Sequence, residues 1–167
     1  LGREKNKKVV NALNENILDA IELAKRNGVY IIFIEFKGYG QTIDTLRDSV
    51  SDYKKVRYFI KTTDGMLEKA NISKDEILSF LIYHQINSLA FAGVNGGACV
   101  FASILDGLRY FKNVYAYNTG IADFTLKNAQ VNYSYGDLFN EIRFADPKRV
   151  GSFTDLNGLD DLKMIWE

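Results

Sequence analysis

Residues 89–108 read LAFAGVNGGACVFASILDGL, and their layout decides how the chain folds. The stretch from Ser88 to Val94 has the length and composition of a buried strand, and Asn95-Gly96-Gly97 turns the backbone. A helix is predicted from about Ala98 to Phe111. Cys99 thereby lands in the first turn of a helix. Unpaired amides and the positive end of a helix dipole favour an anion at such a place, which lowers a thiol's pKa and makes the thiolate the reactive form. The amides of Ala98 and Cys99 are also placed to receive a developing oxyanion, and Gly96 and Gly97 admit a substrate close to the backbone. Two other readings compete. A lone cysteine beside Val100 and Phe101 is commonly a small buried hydrophobe. A glycine-rich strand-to-helix turn can cradle a phosphate, but Gly93 to Gly97 has neither GxGxxG spacing nor the lysine-hydroxyl ending of a P-loop.

Outward from this segment, helix and strand alternate. Val10, Leu13, Ile17, Ile21 and Ala24 recur at helical spacing, which predicts a helix from Lys8 to about Arg26 with Asn27-Gly28 as its stop. VYIIFIEF, Val29 to Phe36, is a continuous apolar run of the kind buried on both faces of a parallel sheet. A short helix from Ile43 to Val50, a strand from Val56 to Lys61 and a helix from about Lys74 to His84, behind the cap candidate Ser73, follow. NVYAYNT, Asn113 to Thr119, is a further strand. The less regular last third is read as a helix from Tyr135 to Arg143, a strand from Arg149 to Phe153 and a helix from Leu159 to Trp166. This rhythm implies right-handed βαβ crossovers in a three-layer α/β/α, Rossmann-like fold with an open, mainly parallel sheet, and ligands at the carboxyl ends of its strands.

Composition removes several function classes. The 167 residues are 47% hydrophobic and 25% charged, typical of one globular domain, here residues 1–167. A chain of this size can bury about 70% of its unfolded surface. One cysteine excludes an intramolecular disulfide and makes a reducing, cytoplasmic setting the default. One cysteine and one histidine cannot furnish a structural zinc site. The 21 basic and 21 acidic side chains cancel, which argues against binding nucleic acid by bulk electrostatics. No apolar run approaches the ~20 residues of a membrane span, and the charged start is unlike a secretory leader. The basic start (Arg3, Lys5, Lys7, Lys8) and the acidic end (Asp155, Asp160, Asp161, Glu167) read as solvated termini.

The segment from Gly93 to Gly107 resembles the isochorismatase-like cysteine hydrolases, a family that includes nicotinamidases and carbamoyl-amide hydrolases. Their pattern G-V-x-T-x-x-C-V-x-x-T-A-x-D-A is matched at Gly93, Val94, Cys99, Val100 and Asp106, with Ser103 in place of threonine. Gly96, Ile104 and Gly107 depart from it. The resemblance implies that Cys99 is the nucleophile and that the turn at Val94 and Asn95 contains a cis peptide shaping the oxyanion site. It also implies a catalytic lysine at the end of the preceding strand, where Lys61 stands. An ammonium there would stabilise a thiolate. The family's third catalytic group is an aspartate in a D-x-Q pattern on a strand before the first long helix, and LGREKNK contains no aspartate. Either the sequence starts downstream of that strand or the general base is lost; the start at Leu1, without an initiator methionine, and the sheet's need for the strand favour the first. Asp64, Asp106 and Asp123 are nearby, but none stands at the matching position.

The loop that carries metal ligands in some relatives reads Phe36-Lys37-Gly38-Tyr39-Gly40-Gln41, without His or Asp, so no metal or other cofactor is implied and nicotinamidase activity is disfavoured. His84 reads as a capping or surface residue. Phe36, Tyr39, Tyr117 and Phe124 fall at or after strand ends and are candidates to line a pocket for a small, partly apolar substrate, although aromatics are more often core. The implied activity is hydrolysis of a small amide or carbamoyl compound through a Cys99 acyl-enzyme, in a homo-oligomer. The alternatives are an inactive binding protein of the same fold and a phosphate or nucleotide binder.

Overall fold

A computed structural model describes residues 2–124, 130–131 and 151–167. Its elements run α1 (Gly2–Arg26), β1 (Ile31–Phe36), α2 (Asp44–Ser49), β2 (Val56–Lys61), α3 (Lys74–Tyr83) and β3 (Ser88–Gly93). A π-helical turn (Gly96–Val100) then leads into α4 (Phe101–Tyr110), β4 (Asn113–Asp123), β5 (Gln130–Val131), β6 (Ser152–Leu156) and α5 (Leu159–Trp166). The sequence-based helix from Tyr135 to Arg143 lies outside the described residues, and the last strand falls three residues later than Arg149. Helix α1 starts six residues earlier than its apolar periodicity, because the exposed Glu and Lys residues that precede Val9 are good helix formers needing no buried face. β4 runs on to Asp123, four residues beyond the predicted Thr119.

The strands pair in two groups where one open sheet was expected. β1 and β2 form a parallel pair, Ile31 opposite Val56 and Phe36 opposite Lys61. β4 takes β3 on one side and β6 on the other, both parallel, and its end pairs antiparallel with β5. Among the described residues β1 and β3 are not paired with each other. Helices join the two groups. The period-2 alternation of β1 sends Ile31 and Phe33 toward Ile21 of α1 and Leu46 and Val50 around α2, whereas Ile32 and Ile34 pack on the cluster of Ile77, Leu81, Ile104 and Leu108 from α3 and α4. That second cluster also takes Val114, Ala116 and Ile121 from β4, while Leu23 of α1 packs with Tyr117, Leu156 and Leu162. The result is a three-layer α/β/α core whose layers span both groups of strands.

Asp155 on β6 has a side-chain oxygen buried with no hydrogen-bond partner among the described residues. Burial pushes its carboxyl up to about 7, the side chain of Asn118 opposes this, and Asp161 adds to it. The folded protein therefore keeps a proton that the unfolded chain loses near pH 4, so stability is complete below that point and falls as pH rises toward 7. At constant ionic strength the melting temperature should be higher at pH 5 than at pH 8, and Asp155→Asn should reduce the difference. A variant that melts with the wild-type pH dependence would contradict this.

Candidate active site

Cys99 is reached through an irregular piece of backbone. Gly93 has φ 124°, a conformation that side-chain-bearing residues rarely adopt, and the Val94–Asn95 peptide is cis, at the place the sequence resemblance implied. The helix does not start as a regular α-helix. The π-helical turn directs the amides of both Ala98 and Val100 onto the carbonyl of Asn95, each at 3.1 Å. The Ala98 amide, a candidate oxyanion donor, thus donates to the Asn95 carbonyl.

The turn is clamped from β4. Asp123 Oδ2 accepts the Gly97 amide at 2.7 Å, and Asn95 Oδ1 accepts the Phe124 amide at 3.0 Å. Asn95 therefore anchors the turn through both its backbone and its side chain. Asp123, 1% exposed at the end of a buried strand, does structural work that the sequence reading left unassigned.

Lys61 ends β2 and is 4% exposed, and its ammonium donates to the backbone carbonyl of Asp64. None of the ion pairs among the described residues includes it. A buried ammonium without a carboxylate partner is costly, and a cysteine thiolate or a substrate oxyanion would supply the missing countercharge. The loop after Lys61 turns back over α4. Ser103 Oγ accepts the Met66 amide at 3.2 Å, and Asp106 Oδ2 accepts the Leu67 amide at 2.8 Å. These two motif residues lie three apart on one face of α4 and hold the loop through its backbone. Gly65 is tightly fitted there, since a Cβ would come within 2.3 Å of Asp106 Oδ2.

That loop delivers a carboxylate to the cysteine. Cys99 Sγ donates to Asp64 Oδ1 at 3.3 Å, across 35 residues of sequence. Asp64 does not stand at the position where the sequence resemblance implies an aspartate. The signal available in the sequence was only its place three residues beyond Lys61, in a loop facing the same strand ends.

Burial is the largest influence on the Cys99 thiol and pushes it above its ordinary value; the Lys61 ammonium opposes this and the Asp64 carboxylate reinforces it. The lowering expected from a helix N-terminus is therefore reversed. The half-buried thiol loses hydration, and a negative group lies against it.

The aromatic candidates separate. Phe36 and Tyr39 contact edge to face with ring centroids 5.2 Å apart, and the Lys61 ammonium lies 5.4 Å from the Phe36 centroid, which places this pair beside the buried charge. Tyr117 is instead core: it is 3% exposed, packed with Leu23, Leu156 and Leu162, and its hydroxyl donates to the Asn16 carbonyl at 3.2 Å. Alternation fixed its side of the strand, but α1 and α5 cover that side. Phe124 is half-buried beside the cysteine turn. His84 caps the end of α3, its Nδ1 2.8 Å from the Tyr30 hydroxyl, and leads toward the amino end of β3, whereas Cys99 follows the carboxyl end. Among the described residues no group of three or more His, Cys, Asp or Glu side chains is arranged to hold a metal ion.

No protein-family profile matches the sequence, and a comparison with curated proteins finds no match. Solved structures do match. The nicotinamidase SaPncA from Staphylococcus aureus is 17% identical over 83% of each chain, with a TM-score of 0.63. An isochorismatase family protein is 13% identical over 87% of this chain and 84% of its own, with a TM-score of 0.62. The chain has the isochorismatase-like fold. The YcaC gene product from Escherichia coli, described as an octameric hydrolase of unknown specificity, is 15% identical over 89% of this chain and 66% of its own, with a TM-score of 0.61. Within the isochorismatase-like fold, Lys61, Asp64 and Cys99 of this chain gather at the carboxyl ends of β2 and β3, the edge of an α/β sheet where ligands bind.

Proposed function

We propose that this chain is a cysteine-dependent hydrolase of the C–N bond in a small amide or carbamoyl compound. The observation that supports this best is the meeting of a buried Lys61 ammonium, without an ion pair among the described residues, with a cysteine at the strand ends. Cys99 Sγ attacks the carbonyl carbon, Lys61 stabilises the negative charge that develops, and expulsion of the amine leaves a thioester on Cys99. Water then releases the acid. Phe36 and Tyr39 form one wall for the substrate, and Phe124 lies on the cysteine side.

The structural neighbours named as hydrolases support this reading at the level of fold. We further read residues 1–167 as one domain, working in the cytoplasm on a small-molecule substrate, without cofactor, nucleic acid or membrane. A homo-oligomer fits the octameric neighbour and the exposed apolar side chains of Ile72, Ile82, Tyr83 and Met164.

A second reading, an inactive binding protein of the same fold, is favoured by the raised thiol and the occupied Ala98 amide. A panel of small primary amides and carbamoyl compounds, nicotinamide among them, separates the two. Ammonia release together with an acyl adduct on Cys99, trapped by acid quench and located by peptide mass spectrometry, is the expected outcome. Ammonia release with Cys99 unmodified during turnover would refute the mechanism, and no release from any member would favour the binding protein.

A further inference from the structure

Cys99 stands on a π-helical turn rather than on a regular α-helix, and side chains from outside the turn settle where it lies. Resting on the reading of Cys99 as nucleophile, we infer that Asp123 is a positioning residue of the reaction: by holding the Gly97 amide from the end of β4, it sets the turn against which the attacked carbonyl must lie.

Three facts carry the assignment. First, Asp123 is 1% exposed and its Oδ2 accepts the Gly97 amide at 2.7 Å, a charge-assisted contact two residues before the sulfur. Second, the grip is reciprocal. Asn95 Oδ1 accepts the Phe124 amide at 3.0 Å, so each segment holds the backbone of the other, and the Asn95 carbonyl takes the amides of Ala98 and Val100 on either side of Cys99. Third, β4 is built to deliver this carboxylate. Phe91 pairs with Ala116 but Gly93 pairs with Ile121, so two positions along β3 are matched by five along β4. Counted on from the second pairing, Asp123 stands level with Asn95; counted from the first, Gly120 would stand there and offer no side chain. Gly120 itself lies inside the bulge, where a Cβ would come within 2.5 Å of Tyr117 Cδ1. Beyond the bulge Asp123 pairs with Gln130 of β5, which fixes its backbone.

The consequence is specific to carbonyl chemistry. When sulfur bonds to a carbonyl carbon, the C=O electron pair moves to oxygen, and sulfur, carbon and the amide receiving that oxygen must be aligned together. Ala98 and Cys99, whose amides are the turn's candidate oxyanion donors, follow Gly97 directly, so their direction depends on where Gly97 is held. Alkylation of the same sulfur at a saturated carbon forms no oxyanion and depends on the thiolate fraction and access. A side chain that only maintains the fold affects both reactions alike, whereas one that positions the turn affects the first.

The test compares two reagents on the full chain at one pH. p-Nitrophenyl acetate acylates Cys99: the S–C bond forms, p-nitrophenolate leaves with the C–O electron pair, and the thiol proton goes to solvent. Iodoacetamide alkylates the same sulfur and releases iodide and that proton. Asp123→Ala should slow acylation about 10²-fold while alkylation stays within about threefold of the wild type. Asp123→Asn, which keeps an acceptor for the Gly97 amide, should recover most of the lost acylation rate. Asn95→Ala, which cuts the reciprocal bond, should show the same split and serves if Asp123→Ala does not fold. Equal losses with both reagents, or unchanged acylation in either alanine variant, overturn the positioning role and leave Cys99 as nucleophile untouched. A wild type alkylated but not acylated at Cys99, or Cys99→Ala acylated as fast as the wild type, would instead overturn the nucleophile itself.

Discussion

Replacing Cys99 with alanine should lower turnover of any amide substrate by at least about 10³-fold, and replacing Lys61 with methionine should lower it by about 10²- to 10³-fold. The first change removes the sulfur on which the proposed acyl intermediate forms. The second keeps the thiol but removes the positive charge that opposes the effects of burial and of Asp64 on it, so a still smaller fraction is thiolate and the oxyanion loses its partner. The two variants should differ in stability. Lys61 is 4% exposed and without an ion pair among the described residues, and methionine of similar length leaves no charge to desolvate. Lys61→Met should therefore turn over slowly by that factor yet be at least as resistant to urea as the wild type, the pattern of a residue kept for chemistry at a cost to the fold. An active variant that unfolds more readily would make Lys61 a structural residue. Kinetics and a urea titration on the same preparation decide this.

Asp106→Ala should destabilise the protein by about 1–3 kcal/mol, with Asp106→Asn costing distinctly less. The carboxylate is 3% exposed and accepts the Leu67 amide at 2.8 Å, so alanine strands a buried donor while asparagine keeps an acceptor. Arg109 Nη1, 3.9 Å from the other oxygen, is more than half exposed and adds little. Burial pushes the Asp106 carboxyl up, with the Leu67 amide opposing it. Its protonation linkage therefore has the same sign as that of Asp155, a contribution present at low pH that declines as pH rises through the folded value. The loop that Asp106 holds carries Asp64, so alanine should also lower turnover while asparagine largely preserves it. Chemical denaturation and kinetics of both variants test this, and equal stability of the alanine variant and the wild type would exclude the anchoring role.

Much of the architecture is local and therefore legible in residue order. The apolar spacing of α1, the β-branched runs of β1 and β2 and the glycine turn before Cys99 each depend on neighbours a few positions away. The motif from Gly93 to Asp106 is equally local; its resemblance to a known family implied the cis peptide at Val94–Asn95, and the apolar run that starts at Val56 placed Lys61 at a strand end. The π-helical turn could not, because whether the Ala98 amide bonds to Asn95 depends on Asp123 and Phe124 gripping the same loop.

By itself, then, the sequence determined an α/β alternation, a cysteine at a strand-to-helix junction and a lysine at a strand end. Tertiary structure alone decided what meets there. Alternation tells which side of β4 Tyr117 occupies, but only the packing of α1 and α5 makes that side core. Likewise, pattern cannot tell that Ser103 and Asp106 bind the backbone of a loop some forty residues earlier and so bring Asp64 to 3.3 Å from Cys99. Contacts across such separations depend on how layers stack, a property of the whole folded chain that short-range pattern does not encode.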